Sequence, residues 1–385
     1  MDVPAETPVP EADSKADVPH PRHAANVIGH SGAEAAFLHA FNSGRLHHAW
    51  LITGQEGIGK ATLAWRIARF LLSQPSPTET ANGGLFGEVL APALPDSLDT
   101  RPDHPVGRRV SVLSEPRLFL LRRPWDEDRG RFKQDIPVDD VRRLKSFFNF
   151  SAVDGGRRVV IVDSADDLNT AAANALLKIL EEPPQDTVLL LVSHAPFRLL
   201  PTIRSRCRTL TLRPLAAPEM SQVLQALFPA DADELTALSA LANGSVGRAV
   251  DLHNAGGAEA YTALISFLGG LPHLDRVALV KLADSAAGRG AGDRFALIVA
   301  LTEFFLHRLA QTGATGAPPV EAVPGEAALL RRLCPTPEHA RAWADANAEL
   351  LSQARRGYAV NLDPSALLID MFLGLQTTAS GPAAA

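Results

Sequence analysis

The stretch Gly54-Gln55-Glu56-Gly57-Ile58-Gly59-Lys60-Ala61 constrains this chain more than any other. Its glycines let backbone N–H groups turn inward around phosphate oxygens, and a following helix adds the partial positive charge of its N-terminus. The flanks supply the required context. Ala49-Trp50-Leu51-Ile52-Thr53 reads as a buried strand, and Thr62 to Phe70 reads as a helix. Lys60 is expected to reach the outer phosphates. The hydroxyl that would ligate Mg²⁺ is missing, because Ala61 stands where Ser or Thr belongs. Thr62 is no substitute, since one residue along a helix turns a side chain by about 100°.

A second strand tests whether that loss is isolated. Val159-Val160-Ile161-Val162-Asp163 has the form of the Mg²⁺-orienting strand of a P-loop protein, with Asp163 at its carboxyl end. A hydrolysing member would place Glu next, to orient water; here Ser164 follows, and a hydroxyl cannot do a carboxylate's work as base. Asp166 and Asp167 are displaced from the strand tip. Two catalytic positions are thus altered independently.

The rest of the chain reads as an α/β protein followed by helices. Residues 1–21 are rich in Pro, Ala, Asp and Glu and read as a disordered tail. An α/β domain spans 22–213, interrupted by a Pro- and Gly-rich irregular insertion over 73–113. Arg117 to Leu121 reads as a strand, and a helix opening at Asp139-Asp140 carries Val141, Leu144, Phe147 and Phe148 on one side. Arg142, Arg143 and Lys145 on its other side are either a solvated face or phosphate contacts. Ala173, Leu176, Leu177 and Leu180 form one helical stripe that Pro183-Pro184 terminates. Thr187 to Val192 is continuously apolar, as a parallel strand covered on both faces requires. Ser193-His194 lies at its tip. His47-His48 reads as a structural pair rather than a metal site. Beyond Pro214 the strand signal ends, giving a small helical lid over 214–256 and an all-helical C-terminal domain over 257–380.

Composition sets limits. Net charge is −6 over 385 residues, so any nucleic-acid contact must come from a local patch. The two cysteines, Cys207 and Cys334, are too few for a disulfide framework or a four-cysteine zinc site and suit a reducing cytoplasm. No run approaches the roughly 18 apolar residues of a membrane span, and no membrane partner is expected.

With these pieces assembled, the chain from about Asn26 resembles the AAA+ clamp-loader proteins of bacterial DNA polymerase III. The specific stretches are Asn174-Ala-Leu-Leu-Lys-Ile-Leu-Glu-Glu-Pro-Pro184 and Ile203-Arg-Ser-Arg-Cys207. The latter resembles the family's Ser-Arg-Cys motif, whose arginine, here Arg206, enters a neighbouring subunit's ATP site. Gly244-Ser245-Val246-Gly247-Arg248 resembles the lid's second sensor, and Asn361-Leu362-Asp363-Pro364 with the apolar helix that follows resembles the end of the collar domain. Ala61 and Ser164 place the chain with the non-hydrolysing stator members. Their role is to help load the sliding clamp onto primed DNA.

The resemblance implies a component of the polymerase III holoenzyme, a nucleotidyltransferase complex, that is not catalytic by itself. Its partners would be gamma/tau and delta subunits in a hetero-pentamer, with the clamp and DNA reached through the complex. Gly54, Gly57, Gly59, Lys60, Asp163 and Arg248 would form a degenerate nucleotide site that holds ATP or ADP without hydrolysis. No zinc is expected, because no cysteine lies between Lys60 and Asp163. The alternatives are an ATP-hydrolysing loader motor, supported by the intact glycines and Lys60, and an unrelated P-loop ATPase.

Overall fold

Five fully buried residues, Ala49–Thr53 (β1), form the strand on which the first part of the fold is built. The computed structural model describes residues 10–75, 94–101, 103–150, 156–287 and 292–381. These divide into two compact units, Met1–Glu219 and Met220–Ala385.

In the first unit β1 follows helix α1 (Ser31–Asn42) and leads into α2 (Lys60–Ser73). A short helix α3 (Pro105–Ser111) precedes β2 (Leu118–Arg122). A small hairpin, β3 (Trp125–Asp126) and β4 (Arg131–Phe132), leads to α4 (Val138–Phe150). Then come β5 (Arg158–Asp163), α5 (Thr170–Glu181), β6 (Thr187–Ser193), the one-turn α6 (Pro201–Arg204) and β7 (Arg208–Thr211). Among the described residues the main sheet has the order β2-β5-β6-β1-β7, and every pairing in it is parallel.

Parallel pairing explains the composition. The inner strands β1, β5 and β6 are buried on both faces, so β5 and β6 are apolar without alternation. The α5 stripe buries Ala173, Leu176 and Leu180 completely or nearly so, with Leu177 packed at its margin. Val141 and Leu144 of α4 join the same core. Each fully buried leucine contributes about 1.5–3 kcal/mol, so the sheet and its helices are one cooperative body.

Two sequence expectations are corrected. Residues 1–9 lie outside the described residues, but 10–21 are not a loose tail. Arg122 at the end of β2 grips Glu11 and Asp13, and Arg22 binds Glu11 at 2.6 Å. His20, also buried, stands 3.1 Å from Asp13. Two buried arginines on α2 fasten the next residues: Arg69 donates to the carbonyls of Arg22 and Ala24, and Arg66 to that of Ala25. Composition could not reveal this, because the partners of these charges lie far away in sequence. The irregular insertion is also partly regular. Residues 76–93 lie outside the described residues, but beyond them Leu98 is buried and α3 buries Val106 and Val110. Pro105 suits a first helical turn, and the His104 ring accepts from the Val106 amide at 3.2 Å, so a segment dense in Pro and Gly still forms a helix.

The second unit is helical: α7 (Ala217–Leu227, which begins at the end of the first unit), α8 (Ala232–Ala242), α9 (Val246–Asn254), α10 (Gly257–Leu268), α11 (Arg276–Asp284), α12 (Gly292–Thr315), α13 (Glu326–Leu333), α14 (Pro337–Ala359) and α15 (Pro364–Ala379). The apolar α12 has the length and composition of a membrane span, yet Phe305, Leu306 and Leu309 are fully buried within this unit.

At its centre Glu326, fully buried, accepts from Tyr261 Oη and from the Ala322 amide at 2.7 Å, and is paired with Arg308 Nε at 2.7 Å. Arg308 also donates to the Val320 carbonyl. This network ties α10, α12, α13 and the loop before α13 together. Removing one partner strands the other charge in a low-dielectric interior. Glu326→Ala should therefore cost about 3–5 kcal/mol, and Tyr261→Phe about 1 kcal/mol, read as lowered urea midpoints of the full chain.

Candidate functional site

The loop after β1 depends on backbone conformations that glycine allows. Gly54 has φ +147°, and a Cβ there would meet the Ile58 side chain at 2.5 Å and the Leu212 carbonyl oxygen at 2.7 Å. Gly59, with φ +104°, stands immediately before α2 in a left-handed conformation that costs other residues dearly. Lys60, nearly buried, is folded back: its Nζ donates to the carbonyls of Gly54 at 2.8 Å and Gln55 at 2.6 Å. Burial lowers the lysine to about 8, although Asp163, Glu56 and Asp166 pull it the other way. A contact invisible in the sequence pattern braces this loop. His30, buried just before α1, places Nε2 at 2.6 Å from the Ile58 carbonyl.

Across the same edge of the sheet, Asp163 ends β5 directly opposite Arg122 of β2 in the strand register. Burial pushes its carboxyl up to about 7; nearby Asp13 adds to the rise, while Lys60 opposes it. Ser164, where a catalytic Glu would stand, turns its hydroxyl onto Asp166 at 3.1 Å. Asp166 also accepts from Ser193 Oγ at 2.8 Å and from the His194 amide at 2.7 Å, and lies 3.1 Å from His194 Nδ1. Its carboxylate is committed to joining the tips of β5 and β6. It is the residue that sequence reasoning set aside, and it organises this edge. The signal was its position three residues after Asp163, but only the fold brings it to Ser193.

Arg206 lies at the other edge. Because β1 and β7 are parallel, with Trp50 opposite Arg208 and Thr53 opposite Thr211, the phosphate loop leaves the carboxyl end while Arg206 precedes the amino end. The intervening strand length alone is about 10–13 Å. Its guanidinium donates to the Thr202 carbonyl at 3.1 Å, forms an ion pair with Glu181 at 2.9 Å, and remains 37% exposed. Cys207 beside it packs on the core, where burial pushes its thiol up to about 12, so it is no nucleophile. The fold thus places Arg206 at the opposite end of the strands from the chain's own glycine loop.

The other candidates are placed as follows. Arg248 belongs to the second unit, in the first turn of α9, where Ser245 caps the helix by accepting from its amide at 3.2 Å. Arg142 and Arg143 are exposed and paired with Asp139 and Asp140 of their own helix. The two histidines before β1 stack on one another, with His48 on the Leu180 carbonyl at 3.0 Å.

The parallel sheet, glycine loop and acid-ended strand define a P-loop AAA+ domain, followed here by a helical unit. Residues 29–216 match the family described as DNA polymerase III, delta subunit. The chain is 41% identical over 210 residues to DNA polymerase III subunit delta′ of Pseudomonas aeruginosa, covering 54% of this chain and 56% of the relative. It is 36% identical over 215 residues to the delta′ subunit of Escherichia coli K12, covering 55% and 56%. A gamma/tau subunit of Mycobacterium bovis is 32% identical over 205 residues, covering 53% of this chain and 31% of the relative. Over this segment the chain is similar to the delta′ and gamma/tau subunits of DNA polymerase III. It spans just over half the length of the delta′ relatives it matches.

The acid at the end of β5 gives a test of the site's electrostatics. A carboxyl raised from 3.8 to about 7 in the folded chain binds a proton there that the unfolded chain has released. It therefore costs stability increasingly as pH rises through that window. Asp163→Asn should raise the thermal midpoint, and the gain should grow between pH 4 and pH 7.

Proposed function

We propose that this chain is a stator of the DNA polymerase III clamp loader: it hydrolyses little or no ATP and supplies Arg206 to the ATP held by a neighbouring subunit. The observation that supports this reading is the placement of Arg206 at the opposite end of the strands from its own glycine loop, with its side chain 37% exposed. The altered catalytic positions support it from the other side. Ala61 offers no oxygen to Mg²⁺, and Ser164 is bonded to Asp166 rather than directed at water.

The residues present fit a nucleotide's phosphates but not its metal. The glycine cradle is formed, and Lys60 would exchange two carbonyls for phosphate oxygens. ATP or ADP is accordingly proposed as a ligand bound without turnover. Arg248 of the helical unit is proposed as the nucleotide's second sensor, and residues 257–380 as the collar through which gamma/tau and delta subunits assemble with this chain in a pentamer. Contact with the sliding clamp and primed DNA is assigned to that complex. The expected compartment is the cytoplasm, in agreement with a chain of two free thiols.

A charge delivered in trans to a transferring phosphoryl group is worth about 10³–10⁵ in rate in GTPases. Arg206→Ala should leave assembly intact and lower the ATPase of a loader reconstituted with its cognate subunits. The isolated chain should show no Mg²⁺-dependent turnover. Robust turnover by the isolated chain would instead identify an active motor, and an unchanged rate in the Arg206→Ala loader would remove the in-trans role.

A further inference from the structure

We infer that Glu181 is a positioning residue for Arg206, fixing the guanidinium so that its free edge faces outward. The inference rests on the in-trans reading above and names what controls that arginine.

Glu181 is the last residue of α5, and its Oε1 forms an ion pair with Arg206 Nη2 at 2.9 Å. The Thr202 carbonyl of α6 takes Nη1 at 3.1 Å. The arginine is therefore held from two elements at once, and both are anchored. Leu176 and Leu180 fix α5 in the core, its last turn is bonded through the Leu180 carbonyl to His48, and Ile203 of α6 is fully buried. A guanidinium carries five N–H donors in a planar fork. The Thr202 carbonyl uses one of them and the Glu181 carboxylate pairs with the other terminal nitrogen, which leaves donors for a phosphate.

The chemistry favours positioning over simple stabilisation. A free arginine has about 2 kcal/mol of rotamer entropy to lose on meeting a ligand; an arginine already held has lost part of it. An ion pair this exposed contributes little to folding, so the consequence of losing it falls on the geometry of Arg206. Glu181 also stands at the far end of the helix that starts seven residues after Asp163. The arginine's orientation is thus built on the same rigid segment as the chain's own nucleotide edge.

The test is a double-mutant cycle in the reconstituted loader, using the full chain with its cognate gamma/tau and delta subunits. Turnover is compared for the unmodified chain, Arg206→Ala, Glu181→Ala, the double variant, and Glu182→Ala, which removes an adjacent charge of the same sign. Glu181→Ala should cut the Arg206-dependent part of kcat by about two- to fivefold, the range expected for an exposed ion pair, with KM for ATP unchanged. The double variant should match Arg206→Ala alone, because the effect of Glu181 acts through that arginine.

Glu182→Ala should leave kcat as it was, and the thermal midpoint of the free Glu181→Ala chain should be nearly unaltered. If Arg206→Ala itself has no effect, the in-trans reading fails. If Arg206→Ala lowers kcat but the Glu181 loss is absent, adds to it, is matched by Glu182→Ala, or is replaced by a gain, the positioning role is overturned while the in-trans reading survives.

Discussion

The direction of the β1 strand is the constraint on which the first unit depends. Parallel pairing with β6 on one side and β7 on the other gives the sheet two chemically different edges. At the carboxyl edge lie the phosphate loop, Asp163 and the Asp166 cluster. At the amino edge lie Arg206, Glu181 and the stacked histidines. A parallel strand cannot be entered and left at the same edge, so a residue just before β7 is barred from the loop just after β1 by the strand's own length. Whatever the exposed arginine serves, the fold directs it away from its own cradle.

Polar residues at the carboxyl edge have been turned to structural use. Lys60 bonds its own loop, Ser164 bonds Asp166, and Asp166 bonds Ser193 and His194. Each bond satisfies a group that would be costly to bury alone. Together they keep the strand tips in register with no need for a metal to organise them. The raised carboxyl of Asp163 and the lowered Lys60 have the same first cause, burial that disfavours either charge. The N-terminal segment belongs to this edge as well, since Arg122, directly opposite Asp163, spends its guanidinium on Glu11 and Asp13.

The helical unit relies on a different device. Its long helices are apolar enough that hydrophobic burial alone would allow several packings, and one buried cluster of Glu326, Arg308 and Tyr261 joins three of them. A carboxylate that must receive a hydroxyl, an amide and a guanidinium together permits few alternatives, which gives the packing a defined register.

The sequence by itself determined the elements whose signal is local. The glycine loop between strand and helix, the apolar runs at Val159 and Val188, the α5 stripe and the missing hydroxyl at Ala61 all follow from periodicity, backbone conformation and side-chain chemistry within a few residues. The tertiary structure alone decided what depends on distant partners. It held Glu11 and Asp13 through Arg122, more than a hundred positions away, set His30 against the loop at Ile58, gave Asp166 its place between two strand tips, and joined Glu181 to Arg206. Hydrogen bonds and ion pairs are short-ranged in space but indifferent to separation along the chain. Periodicity reveals which face of a helix is buried, and only the folded sheet reveals which charges meet.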